Sequence, residues 1–219
     1  MKLEGAIVHF LGDSITEGCG ASCTEKGFVA VLEKMYGLKK ANNYGIGGSR
    51  IARQIIITEN IWDRDFCMRY AEMDQETDAV VVFGGTNDYG HGEAPLGAAT
   101  DREPDTFYGA CHYLMRGLLE RWPDKPICFL TPLHRLCEDD PKGEGGLKRF
   151  SAAPLSVYRD ILMECAAFYG LPVLDLWSVS GMQPRVEAVR ERLMPDGLHP
   201  SDAGHEILAR KIGQFLMTL

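Results

Sequence analysis

A chain of 219 residues with 45% hydrophobic and 25% charged side chains has the make-up of an ordinary globular protein, with enough apolar material for one domain layered on both faces of a sheet. Its 31 acidic residues outnumber 23 basic ones, and the net charge of −8 argues against nucleic acid and against adsorption to an anionic membrane as partners. Residues 1–5 lead straight into an apolar run without the long segment of a secretory signal, and the seven cysteines are odd in number and dispersed, so a cytoplasmic location with reduced thiols is expected.

Strand-like and helix-like patterns alternate along the chain. The apolar run 6–11 reads as a buried strand. Residues 25–36 read as a helix with Thr24 as cap and Gly37 as stop, and 42–44 as a short second strand. Helical spacing covers 61–73. The continuous apolar run 79–83, bounded by Asp78 and Gly84, is expected as a central parallel strand. A helix at 105–121 ends at Trp122-Pro123. Then come a strand at 127–130, a helix at 154–169 with proline in its first turn, a strand at 173–176 and a closing amphipathic helix at 203–216. This alternation predicts a parallel sheet with helices on both faces, forming a single domain over 1–219. Long polar loops at 88–104 and 131–154 fall where ligands bind in such folds, beyond the carboxyl ends of strands.

Four motifs sit at those strand ends. Gly12-Asp13-Ser14-Ile15-Thr16 follows the first strand; a helical turn after Ser14 would aim backbone N–H groups at the serine oxygen. Taken alone, the tripeptide reads more readily as a helix cap. Asn43-Tyr44-Gly45-Ile46-Gly47-Gly48 follows the second strand, and its glycines let a backbone N–H approach a substrate. Gly84-Gly85-Thr86-Asn87-Asp88 follows the third, where an asparagine amide can donate to an oxyanion or simply form a turn. In Asp196-Gly197-Leu198-His199-Pro200 one imidazole nitrogen can face Ser14 and the other Asp196. The remaining histidines, His9, His91, His112, His134 and His205, have no comparable partner. Cys19 and Cys23 stand close together without further ligands nearby, so no metal and no other cofactor is expected.

The order and conjunction of these blocks resemble the SGNH hydrolases, the GDSL-type esterase and lipase family, over nearly the whole chain. The matching residues are Gly12-Asp13-Ser14-Ile15, Asn43-x-Gly45-x-x-Gly48, Gly85-Thr86-Asn87-Asp88 and Asp196-x-x-His199. The resemblance implies a three-layer α/β/α sandwich with a central parallel five-stranded sheet of flavodoxin type. It implies Ser14 as nucleophile, His199 as base and Asp196 as its orienting carboxylate, with an oxyanion hole from the Ser14 N–H, the Gly48 N–H and the Asn87 side chain. The expected activity is metal-independent hydrolysis of short-chain carboxylic esters, with acetyl esters of carbohydrates first and lysophospholipids or thioesters second. A non-catalytic binding domain on the same scaffold is the alternative from another class. Tyr44, Tyr89, His91 and His134 lie beside motifs or on strand-end loops and are candidates for contacting the small-molecule ester.

Overall fold

The computed structural model describes residues 1–149 and 152–219; Phe150 and Ser151, within the expected loop 131–154, lie outside the described residues. Five parallel strands form one sheet in the order β2-β1-β3-β4-β5, with β1 at Ile7–Gly12, β2 at Lys40–Gly45, β3 at Ala79–Phe83, β4 at Ile127–Leu130 and β5 at Val173–Leu174. The expected α/β/α sandwich is thus the fold observed. The helical elements are α1 (Ser14–Glu17), α2 (Phe28–Tyr36), α3 (Phe66–Arg69), α4 (Thr86–Gly90), α5 (Phe107–Arg121), α6 (Leu155–Phe168), α7 (Leu176–Val179), α8 (Glu187–Leu193) and α9 (Asp202–Leu216), with short 3₁₀ turns between some of them.

Strand alternation divides the core. Val8, Phe10, Val81, Phe83 and Leu130 meet Phe28 and Leu32 of α2 and Leu208 and Ile212 of α9 on one face. Leu11, Val80, Val82 and Phe129 meet Leu114 and Leu118 of α5 and Ile161 and Leu162 of α6 on the other. β1 and β3 are buried on both faces, which is why they read as continuous apolar runs. β2 is an edge strand, and its polar ends Lys40 and Gly45 extend it beyond the 42–44 expected, in register with β1 from Ile7↔Lys40 to Gly12↔Gly45. His9 is fully buried in β1, bonded to the Asp74 carbonyl at 2.9 Å and set edge-on against Tyr44 and Trp122.

Three expected elements differ. The 25–36 helix begins at Phe28, because residues 24–26 form a 3₁₀ turn and Gly27 occupies the cap position. The 61–73 segment is broken into a 3₁₀ turn, α3 and a second 3₁₀ turn. Two carboxylates interrupt it: Asp65 caps α3 through the Met68 N–H at 2.9 Å, and Asp63 turns back to Thr58 and Arg50. Strand β5 stops at Leu174, where Asp175 starts α7 and accepts from the Thr131 hydroxyl at 2.9 Å.

Candidate active site

β1 and β3 lie side by side, and the chain leaves their carboxyl ends toward opposite sides of the sheet. This switch point leaves a crevice that no crossover fills. Asp13 caps α1 by accepting from the Ile15 N–H at 3.0 Å, which puts Ser14 in the first helical turn. With the Ile15 N–H taken by Asp13, the Ser14 N–H, which has no carbonyl one turn behind it, is left to meet an anion. Burial of Asp13 pushes its carboxyl up to about 7.

The second wall comes from the turn after β2. A Cβ on Gly45 would sit 2.2 Å from the Glu17 nitrogen, so only glycine lets this turn press against α1. The Glu17 carboxylate accepts from the Gly47 N–H at 2.7 Å. Gly48 follows with φ +75°, and among the described residues no acceptor holds its N–H. The Gly47 donor is thus occupied by Glu17, and the Gly48 donor is open.

Asn87, in the first turn of α4, is buried and donates through Nδ2 to the Ser49 carbonyl at 3.1 Å, leaving its second amide hydrogen. Its neighbour Asp88 accepts from the Ile51 and Ala52 N–H groups at 3.0 and 2.9 Å, and burial raises its carboxyl above the usual range. The buried Arg69 completes the frame. Its guanidinium donates to the carbonyls of Gly12 at 2.9 Å and Tyr44 at 2.8 Å and to the Ser49 hydroxyl at 2.9 Å. Burial lowers its pKa to about 10. One side chain therefore ties the ends of β1 and β2 to the segment that carries Gly48.

The imidazole arrives from the far end of the chain. His199 Nε2 lies 2.9 Å from Ser14 Oγ, and Nδ1 lies 2.7 Å from Asp196 Oδ2. The other Asp196 oxygen accepts from the backbone N–H groups of Leu198 and His199, at 2.9 and 2.7 Å. Burial alone would raise the Asp196 carboxyl, but these hydrogen bonds outweigh it and hold the group below the usual carboxylate range. With Asp196 ionised, Nδ1 carries the proton and Nε2 accepts from the serine. Gly20 packs against His199 and Pro200, and His205 bonds the Cys19 carbonyl at 3.0 Å, so the loop bearing Cys19 and Cys23 backs the imidazole.

The four residues expected on substrate-contacting loops are placed differently. Tyr89 is fully buried, with its hydroxyl donating to the carbonyls of Cys137 and Asp140; it fastens α4 to the loop beyond β4 and does not line an open pocket. Tyr44 packs against the core, and its hydroxyl accepts from the Asp74 N–H at 3.0 Å. His91 accepts from Arg50 at 3.0 Å, and burial followed by that neighbouring cation lowers its pKa to about 4. The His134 ring lies 3.8 Å from that of Trp177, tilted by 42°, and bonds Glu138 at 2.9 Å. A cavity of about 430 Å³ bordered by Ile55, Leu96, Lys148 and Tyr158 is not lined by Ser14, Asn87 or His199. Among the described residues no three His, Cys, Asp or Glu side chains are grouped to hold a metal ion, and no helix is long and apolar enough to cross a membrane.

Glu17, Arg69, Ser49 and the Arg50–Asp63 pair were not singled out from the sequence. Glu17, Arg69 and Ser49 act through backbone groups, and the Arg50–Asp63 pair through side chains, that come together only on folding.

Comparison with known proteins agrees with this fold. The chain is similar to the structure of a protein from Lactobacillus plantarum, with 30% identity over 99% of this chain and 98% of that one and a TM-score of 0.83. It shares its fold with a lipase/acylhydrolase from Enterococcus faecalis, at 21% identity over 97% and 96% of the two chains and a TM-score of 0.64. It also shares its fold with a two-domain esterase active on acetylated mannans, at 22% identity over 99% of this chain and 49% of that one, TM-score 0.63. No curated protein matches the chain. The model of the GDSL-like Lipase/Acylhydrolase family matches residues 10–207. The chain belongs to the GDSL-like lipase/acylhydrolase family of hydrolases.

Proposed function

We propose that the protein is a serine esterase that hydrolyses short-chain carboxylic esters through an acyl-enzyme. The observation that carries this reading is the continuous chain Ser14 Oγ–His199 Nε2 and His199 Nδ1–Asp196 Oδ2, at 2.9 and 2.7 Å, beside three unspent donors. His199 takes the serine proton as Oγ attacks the ester carbonyl, and Asp196 stabilises the imidazolium. The carbonyl oxygen becomes an oxyanion held by the Ser14 N–H, the Gly48 N–H and the free Asn87 amide hydrogen. The tetrahedral adduct collapses as His199 gives its proton to the leaving alcohol. Water, deprotonated by His199, then attacks the acyl-serine and releases the acid.

On the alcohol side, carbohydrates are the first class to test; the likeness in fold to an esterase active on acetylated mannans supports that choice. The lipid-type reading, a lysophospholipase or thioesterase, is favoured by exposed apolar residues at 55–57 and 61–62. Labelling with a fluorophosphonate probe tests the reaction class. Modification of Ser14 together with turnover of acetyl and butyryl nitrophenyl esters is expected. A folded protein that neither labels nor turns over would instead be a binding domain on this scaffold.

A further inference from the structure

Between β2 and α3 the chain makes a strap, residues 54–63, with an unusual surface. Ile55, Ile56, Ile57, Ile61 and Trp62 are all exposed, Trp62 by 46%. Isolated exposed apolar residues need no explanation, but five within one short loop do. The strap is nevertheless anchored. Asp63 is buried in an ion pair with Arg50 and accepts from the Thr58 N–H at 3.0 Å and the Thr58 hydroxyl at 2.5 Å. Arg50 in turn donates to His91 at 3.0 Å. The polar residues of the strap thus fasten it inward, while its apolar side chains face outward.

Where the strap meets the site is fixed by Gly48. Trp62 Cβ and Cγ lie 3.2 and 3.6 Å from the position a Cβ on Gly48 would take. Trp62 therefore packs against Gly48, the residue that carries the backbone donor of the proposed oxyanion hole. The reaction then assigns the occupant. In the tetrahedral adduct the leaving oxygen must receive its proton from His199, so the alcohol lies on the imidazole side. The oxyanion points at Gly48, Asn87 and Ser14. The acyl substituent is left with the remaining direction, away from His199, and the exposed Trp62 beside Gly48 is the apolar side chain placed to meet it.

We infer that Trp62, with the isoleucines of the strap, is the acyl-side wall of the site and sets a preference for apolar acyl chains longer than acetyl. This inference rests on the serine-esterase reading above. It concerns the acyl group alone and leaves the alcohol side, bordered by the exposed Asp196 turn, open to a polar leaving group. A methylene gains about fourfold when fully buried and about half of that against a wall wetted on one side. Specificity for acetyl, butyryl and hexanoyl nitrophenyl esters is thus expected to rise about twofold per methylene, after correction for spontaneous hydrolysis.

The test measures kcat and KM over that series for the parent, Trp62→Ala, Trp62→Phe and Ile56→Ser, with fluorophosphonate labelling of Ser14 and size-exclusion chromatography for each. Trp62→Ala is expected to flatten the rise, mainly through KM for butyryl and hexanoyl, with labelling retained; Trp62→Phe restores most of the rise, and Ile56→Ser lowers its far end. Equal losses for all three esters would overturn the inference, since Trp62 would then only support Gly48. So would a parent that labels but shows no rise with chain length. A parent dimer that Trp62→Ala and Ile56→Ser dissociate, with the chain-length profile unchanged, would make the strap an interface between copies and overturn it too. Absence of labelling in the parent would defeat the esterase reading itself, and the inference with it.

Discussion

The two sides of the site are built in opposite ways. The donor side is over-determined and its anchors are mostly buried: Arg69, Asn87, Asp88 and the exposed Glu17 each hold a different group of the segment 44–52, and Arg69 and Asn87 are about one-twentieth exposed. The base side is a tight turn near solvent. The Asp196 side chain is 55% exposed and His199 is 23% exposed. A donor that must meet a charge existing only during reaction gains from being fixed beforehand. A base that must pass a proton to an alcohol and then accept one from water has to stay accessible. In the proposed reaction, burial of the anchors marks where electrostatic stabilisation is concentrated, and exposure marks where the proton enters and leaves.

The comparison can be broken by ranking three substitutions. Ser14→Ala removes the nucleophile and is expected to lower turnover by ~10⁴–10⁶. Asn87→Ala removes one buried donor and should cost ~10²–10³ in kcat, with little change in KM. Asp196→Asn should cost less, about 10- to 100-fold, because water can solvate an imidazolium that is partly exposed; a buried orienting carboxylate is worth about 10⁴. Steady-state hydrolysis of a nitrophenyl ester gives all three. A larger loss for Asp196→Asn than for Asn87→Ala would invert the contrast and show that orientation of the base outweighs donor preorganisation.

The same contrast explains what could be read from the sequence. β1 and β3 were legible because strands buried on both faces leave continuous apolar runs, and each ends at a motif. The polar edge strand β2 gave little signal at its ends, and α8 gave none, because none of its residues is buried. Ser14, Asn87, Asp196 and His199 stood out as reactive residue types at strand ends. Arg69 did not, since a basic residue in an apparently helical stretch reads as a solvated face until the carbonyls it binds are known. Tyr89 illustrates the reverse. Two positions after Asn87 in a helical turn, its side chain projects about 200° away from the asparagine, into the core.

Arg69 sharpens the account of the donor side. Arg69→Met keeps much of the volume but strands two carbonyls and a hydroxyl in a dry environment. The expected loss is ~2–4 kcal/mol of folding stability, read by urea unfolding. If the guanidinium also positions Gly48, kcat should fall about tenfold in protein that remains folded. Unchanged turnover in a destabilised variant would assign Arg69 to the framework alone.

The smallest expected effect separates two buried groups on that side by sign. His91 titrates at about 4 when folded, because burial and Arg50 disfavour its charge. From about pH 6.5 downward the unfolded chain takes up a proton that the native state refuses, so this group subtracts stability as pH falls toward 4. Asp13 does the reverse. Burial raises it to about 7, so the native state keeps a proton that the unfolded chain releases above about 4, and stability declines as pH rises toward 7. Between about pH 4.5 and 6.5 the two slopes oppose and leave the parent insensitive to either. Relative to the parent, His91→Gln should gain on the order of 2 kcal/mol when pH falls across that window, and Asp13→Asn should lose a similar amount. Urea unfolding at the two ends of the window reads both. Changes of the same sign would mean that at least one of these groups is not held in the protonation state its surroundings favour, and that the donor side is wetter than its burial implies.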